Sequence, residues 1–213
     1  MLLICFDVSI RAQKTVDKTV ATVSDGFQTE LITLSDLRWQ MALQPGTRLN
    51  PASSDDLNLA LQKMIDERLF ALEAKRVHRN AVSDNEIAVK IKEILAFFPT
   101  SGEFESRLRE VGFSSVNDEN FIRLISDRIA IEKFIDFRFA SFIVITPKDE
   151  EAYYRNTFVA DFRRRFPGLL MPTLDEKRTE INSILRQERI AADIVVFLDD
   201  AKRRVSVVVL SPV

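Results

Sequence analysis

The strongest constraint on the fold is a two-stranded hairpin near the start of a chain whose patterning is otherwise helical. In the stretch VATVSDGFQTELITLSDL, residues 20–37, β-forming residues lie on both sides of Ser24-Asp25-Gly26. An Asp-Gly pair between β-formers is a strong hairpin signal, so we predict a tight two-residue turn there. An isolated hairpin is at best marginally stable in water. This hairpin therefore needs a further partner elsewhere in the chain.

A third strand is predicted at the other end of the sequence. The stretch RRVSVVVL, residues 203–210, is rich in β-branched residues, which favour strands. We predict that residues 204–210 lie beside residues 20–33, either from the same chain or from a swapped neighbour. A small β-sheet would then join the N-terminal hairpin to the C-terminal strand.

Between these strands, apolar residues recur at helical spacing. A helix is predicted from Ser53 to about Arg79. Its apolar stripe consists of Leu57, Leu61, Met64, Ile65, Leu69 and Leu72. His78 lies among basic residues near the predicted C-terminal end, where cations suit the negative end of the helix dipole.

Further helices are indicated by their start signals. Ser83 and Glu86 fit the S-x-x-E capping box, and Thr146-Pro147 is typical of another helix start. A long helix is predicted from Leu174, although residues 194–197 could also form a strand from propensity alone. The predicted fold class is mainly α (α+β), with a small sheet formed by the hairpin and the C-terminal strand.

Composition argues against several classes of function. A net charge of −2 disfavours a nucleic-acid partner, and no apolar stretch approaches the ~18 residues needed for stable membrane insertion. One cysteine, Cys5, and one histidine, His78, provide no internal disulfide and no metal motif. Glycine-rich phosphate loops and hydrolase motifs are absent from the sequence. We therefore expect binding without catalysis, metal or cofactor.

Phenylalanine is unusually frequent, with 16 residues against one Trp and two Tyr. Most of these rings would fill a core, but an exposed apolar surface can also bind a client. The candidate peptide-binding residues lie on the apolar faces of the first and fifth predicted helices. They are Trp39, Met41, Phe134, Phe137 and Phe139. Core packing is the alternative role for each of them.

Several strings resemble SurA-type chaperones, in the order that this family has them. The hairpin stretch, residues 20–37, is similar to the family's opening hairpin. LQKMIDERLFALEAKRVHRNAVSDNEIAVKI, residues 61–91, is similar to its next two helices, and residues 104–113 end in the same L-x-x-x-G-F pattern. ITPKDEEAYYRN, residues 145–156, matches more loosely, because Asp149 and Glu150 replace a Glu and an aliphatic residue. The matches cover roughly residues 20–156.

The resemblance implies a peptide-binding chaperone domain related to that of trigger factor, acting in the periplasm on unfolded outer-membrane proteins. It also implies that the C-terminal helix and strand fold back onto the N-terminal domain. SurA-type proteins usually carry parvulin prolyl-isomerase domains after the Tyr-Tyr motif. Only a short stretch separates Tyr154 from Asp175 here, and the single histidine lies elsewhere. We therefore expect that the catalytic domain is absent.

These inferences give a domain organisation and a function. We expect residues 1–19 to be an export-signal remnant or a flexible N-terminus, residues 20–145 a helical core similar to that of SurA-type proteins, and residues 146–213 the C-terminal helices and strand. The expected function is that of a periplasmic or exported chaperone that holds unfolded or extended polypeptides. Two alternatives stay open: a peptidyl-prolyl cis-trans isomerase homologue, and a homodimeric scaffold whose long C-terminal helix exchanges between protomers.

Overall fold

The chain folds mainly as helices, with one small antiparallel sheet that joins its two ends. The computed structural model describes residues 17–75 and 81–213; residues 1–16 and His78 lie outside the described residues. The strands are β1 Thr19–Ser24, β2 Thr29–Thr33 and β3 Ser206–Val209. The helices are α1 Leu34–Ala42, α2 Ser54–Lys75, α3 Asp84–Leu95, α4 Ser101–Glu110, α5 Glu119–Arg138, α6 Pro147–Tyr153, α7 Val159–Arg165 and α8 Leu174–Arg204. The predicted fold class is confirmed.

The sheet has the strand order β2-β1-β3, and both pairings are antiparallel. Thr22 of β1 faces Leu31 of β2 on one side and Val208 of β3 on the other. The amide of Leu210 donates to the carbonyl of Val20 at 2.8 Å, which extends the β1–β3 ladder beyond β3. The predicted pairing of the hairpin with the C-terminal strand is thus confirmed, and it forms within one chain.

The hairpin turn differs from the predicted two-residue turn. The loop between β1 and β2 comprises four residues, residues 25–28. The Asp25 carboxylate accepts hydrogen bonds from the amides of Phe27 at 2.9 Å and Gln28 at 2.8 Å. The Asp25 amide donates to the Gln28 carbonyl at 3.2 Å, and Gly26 has a positive φ of 88°. The two-residue prediction is wrong because the Asp25 side chain stabilises a longer loop.

The predicted capping signals begin the helices as expected. At α3 the Ser83 hydroxyl accepts from the Glu86 amide, while the Glu86 carboxylate accepts from the Ser83 amide at 2.9 Å. Thr146 and Asp149 make the same reciprocal pair at α6. Each box satisfies backbone N–H groups that have no partner within the helix.

Residues 194–197 lie inside α8, so the strand alternative for them is wrong. Phe197 stacks on Phe70 of α2 with ring centroids 5.2 Å apart, and Ile194 packs on the same cluster. Packing of this helical face against α2 and α5 outweighs the β-propensity of the segment, because propensity is weaker than tertiary context.

Among the described residues, buried side chains form three clusters. The first lies between the sheet, α1, α2 and the end of α8, and includes Val20, Ile32 and Leu37. The second joins α3, α4 and α5 around Phe104 and Phe121. The third is smaller, and it joins α2, α5 and α8. The third cluster is the base of the cavity described next.

Candidate functional site

A cavity of about 650 Å³ opens between the end of α5, the 3-10 turn Ala140–Phe142 and the C-terminal half of α8. Its volume is within the usual range for ligand-binding clefts. Its lining residues come from α2, α5, α8 and the link after α5, residues 139–146. They are Glu73, Phe134, Arg138, Phe139, Phe142, Ile143, Asp193, Val196, Phe197, Asp200 and Arg204.

The floor of this cavity is aromatic. The ring of Phe197 is parallel to that of Phe70 and meets Phe139 edge-on, with the latter centroids 5.5 Å apart. Phe134 lies 6.4 Å from Phe197, and both Phe134 and Phe139 are buried. Edge-to-face and offset contacts of this kind are favourable beyond their buried area. The floor is therefore a fixed apolar surface.

The mouth of the cavity exposes large apolar side chains. Phe142 is 74% exposed, and Val196 on the opposite wall is also mostly exposed. Leaving such side chains in water costs free energy that burial against a partner would recover. Exposed apolar surface around a cavity is typical of a binding site.

The rim of the cavity carries charges of both signs. Arg204 lies 3.8 Å from Glu73, and the Arg138 guanidinium lies 5.8 Å from the centroid of the Phe139 ring. Asp193 and Asp200 line the α8 side. Since acids and bases are mixed, the rim does not select strongly for one sign of ligand charge.

The cavity wall formed by the link after α5 is held in place by arginines of α8. Arg186 donates to the carbonyls of Ala140 and Ile143, the latter at 3.3 Å. Arg189 donates to the carbonyl of Val144 at 2.5 Å. These bonds satisfy carbonyls of the 3-10 turn and of the extended residues after it, so α8 holds the segment that carries Phe142.

A buried carboxylate fastens α6 to α8 beside this link. Glu150 is almost fully buried and accepts hydrogen bonds from Arg178 at 2.6 Å and from Asn182 at 2.9 Å. The hydrogen bonds that the Arg178 guanidinium donates to the carboxylates of Asp175 and Glu150 raise its pKa. Both oxygens of the buried acid therefore have partners, as buried charges require.

The predicted peptide-binding residues lie in four different places. Phe134 and Phe139 line the cavity, whereas Phe137 is exposed on α5 outside the lining. Met41 is 1% exposed and belongs to the cluster under the sheet. Trp39 is half-buried beside Phe113, and its Nε1 donates to the carbonyl of Val111 at 3.1 Å. Trp39 and Met41 thus make packing contacts away from the cavity.

Sequence reasoning missed the other four apolar residues of the cavity lining: Phe142, Ile143, Val196 and Phe197. Phe142 opens an apolar run just after α5, and such a run beside a helix end is a usable signal. Val196 and Phe197 are ambiguous between helix and strand in the sequence, and α8 places both in the cavity lining.

A second aromatic surface runs along α6, the π-helical segment Tyr154–Phe158 and α7. Tyr154, Phe158, Phe162 and Phe166 form a ladder with successive centroids 5.5, 5.8 and 5.2 Å apart. The Tyr154 hydroxyl donates to the Pro172 carbonyl at 2.7 Å and closes the turn towards α8. A smaller cavity of about 340 Å³ lies between this ladder and α8.

Other kinds of site find little support in the described residues. Within residues 17–75 and 81–213, no group of three or more His, Cys, Asp or Glu side chains could hold a metal ion. No helix in that part of the chain is long and apolar enough to cross a membrane. Neither a scan of known protein-family models nor a search of curated proteins finds a match to this chain. The SurA-type resemblance therefore stays a prediction.

Proposed function

We propose that the chain binds apolar segments of unfolded or extended polypeptide at the cavity between α5 and α8, and that it does so without chemistry. The observation that carries this proposal is the combination of a fixed aromatic floor with an exposed apolar mouth. Burial of apolar client side chains would supply the affinity. The mixed-charge rim tolerates clients of varied sequence, because it repels neither sign as a whole.

The resemblance to SurA-type chaperones extends the proposal to a compartment and a client class. The clients would be outer-membrane or other exported proteins, held before they fold, and the chain would act in the periplasm or after export. A holding role needs weak and reversible contacts, since the client must be released. An open cavity of about 650 Å³, lined by six apolar and five charged residues, suits such contacts.

The test is suppression of aggregation of an unfolded outer-membrane porin diluted from urea, followed by light scattering. We expect suppression by the wild-type chain and a clear loss of it in Phe142→Ser. Burying one large apolar side chain contributes about 1.5–3 kcal/mol, so the variant should bind the client about tenfold more weakly or worse.

Phe97→Ser is the matched control. Phe97 is 73% exposed, nearly as much as Phe142, but it lies in the turn after α3 and does not line the cavity. Its variant should keep full activity. Equal loss in both variants would mean that general surface hydrophobicity holds the client, and no suppression by the wild-type chain would refute the proposed function.

A further inference from the structure

The edge strand β3 presents backbone hydrogen-bonding groups away from the sheet. In an antiparallel pair, residues alternate between those that bond to the partner strand and those that point outward. The amide of Leu210 bonds to Val20, and the register pairs Val208 with Thr22. Val207 and Val209 therefore direct their N–H and C=O groups away from β1. These four groups form a short template for another strand.

The two edges of the sheet are treated differently. On β2, Arg68 of α2 donates to the carbonyl of Leu31 at 3.3 Å, and Lys75 pairs with Glu30 at 2.5 Å. Side chains of α2 thus cover the β2 edge. On β3, Val208 and Val209 are exposed.

Folded proteins usually protect an exposed edge with charges, proline or a bulge, because an open edge pairs with other chains. The residues of β3, Ser206–Val209, include neither a charged residue nor a proline, and its pairing with β1 runs without a register shift. The single shift in the sheet lies on the β1–β2 side. The edge of β3 is therefore regular, apolar and exposed, whereas side chains of α2 cover the edge of β2.

The open edge begins close to the cavity. Arg204, the last residue of α8, lines the cavity, and β3 begins at Ser206. Two residues of extended chain span at most about 7 Å. A polypeptide segment whose side chains occupy the cavity could therefore continue along β3.

We propose that β3 captures an extended segment of polypeptide as a fourth strand of the sheet, through the backbone groups of Val207 and Val209. This inference takes its client class from the proposed function and so rests on it. The main chain of any extended client carries the complementary donors and acceptors, which makes capture tolerant of sequence. On the exposed face, Leu31, Thr22 and Val208 form one cross-strand row. A β-branched or aromatic client residue next to Val208 would extend that row favourably.

A second copy of the chain fits this edge less well. A four-residue strand is about 14 Å long, and pairing two such edges would bury far less than the roughly 1,200 Å² of a stable dimer. Pro212 also directly follows the last residues whose amides bond to β1, Leu210 and Ser211. Weak, reversible capture of a client suits an edge of this length.

The probe is a fluorescein-labelled decapeptide of alternating Val and Thr with a Lys at each end, measured by fluorescence anisotropy. Two N-methylated versions carry the methyl groups on odd or on even residues. In a paired strand, only one of these sets has N–H groups that face β3. We expect one methylated peptide to bind about tenfold more weakly and the other to bind like the unmodified peptide, since losing two hydrogen bonds has roughly that effect.

Protein variants test the same contact from the other side. Val209→Pro removes an outward N–H while keeping the bonds of Val208 and Leu210 to β1, and proline is tolerated at such edge positions. Val209→Thr keeps the N–H and the β-branched shape. We expect the proline variant to bind the peptide at least about threefold more weakly than the threonine variant, with equal urea midpoints showing that both are folded.

Each outcome decides the inference. Equal binding of the two methylated peptides, or no binding of the unmodified peptide, overturns capture by the β3 edge. A concentration-dependent dimer that Val209→Pro abolishes also overturns it and assigns the edge to self-association. The porin assay with Phe142→Ser tests the cavity separately. The methylation pattern should persist in Phe142→Ser, because that variant leaves β3 unchanged.

Discussion

Replacing Arg107 by methionine tests how the ends of α1 and α4 are held together. The Arg107 side chain extends from α4 to the C-terminal end of α1. Its Nε donates to the carbonyl of Ala42 at 3.2 Å, and its Nη2 donates to those of Met41 at 3.0 Å and Gln44 at 2.9 Å. The last carbonyls of a helix have no partner within the helix. Arg107 provides a donor for two of them, those of Met41 and Ala42, and for the carbonyl of Gln44 just beyond α1.

The expected loss can be worked from these three bonds. Arg107 is half-buried, so water reaches part of the site, and each bond contributes about 1 kcal/mol net. Methionine keeps most of the apolar stem of arginine, which leaves the hydrogen bonds as the main difference. We therefore expect Arg107→Met to lower the free energy of unfolding by about 3 kcal/mol. For a chain of this size that corresponds to a melting temperature lower by about 6–12 °C.

Urea unfolding followed by circular dichroism measures this loss, with Arg109→Met as the control. Arg109 lies on the same helix, is mostly exposed, and makes an ion pair with Glu105 at 3.5 Å. An exposed pair of this kind contributes at most about 0.5 kcal/mol. Arg107→Lys keeps the charge with fewer bonds and should lie between the two. If Arg107→Met and Arg109→Met unfold at the same urea concentration, the capping role is refuted.

Three further outcomes are expected. Trp39→Phe removes the hydrogen bond to the Val111 carbonyl and should lower the free energy of unfolding by about 1 kcal/mol in urea titrations. An unchanged free energy of unfolding would mean that water replaces the indole as donor to that carbonyl. Phe104→Ala empties a fully buried position and should cost about 4 kcal/mol by the same measurement, whereas a loss below about 1 kcal/mol would mean that the core closes around it. Hydrogen bonds from Lys133 and Ser83 lower the pKa of Glu86 from 4.5 to about 2, so its contribution to stability is present above pH 4.5 and is lost as pH falls towards 2. Lys133→Met should raise that pKa in an NMR titration, and an unchanged value would exclude Lys133 as its main cause.

Sequence could predict those parts of the fold that depend on local signals. The capping box at Ser83 and the cap at Thr146 are decided within four residues, and the structure has both. The pairing of β3 with β1 could also be predicted, because an isolated hairpin needs a partner. The length of the hairpin turn was harder to predict, because the Asp25 carboxylate accepts hydrogen bonds from the amides of Phe27 and Gln28 and so stabilises a four-residue loop. Residues 194–197 were ambiguous because β-propensity is overridden by packing against Phe70.

The candidate site was predictable only in part. The sequence places Phe134 and Phe139 among apolar residues that crowd more than one face of the predicted fifth helix, and both line the cavity. Periodicity does not say which neighbouring helix covers a face, so Met41 was selected although it is buried under the sheet. Phe142 is positioned by Arg186, which lies far away in sequence and bonds only to backbone carbonyls. Such contacts leave no pattern among neighbouring residues.

The central position of β1 has a consequence for the order of folding. During synthesis β1 and β2 are made first, whereas β3 follows every described helix. Contacts between residues so distant in sequence carry a loop-closure cost and slow the folding of a chain. On the ribosome, β1 cannot pair with β3 until α8, which precedes β3, has been synthesised. We therefore expect the sheet to form late, in one cooperative step with the docking of α8 against α2.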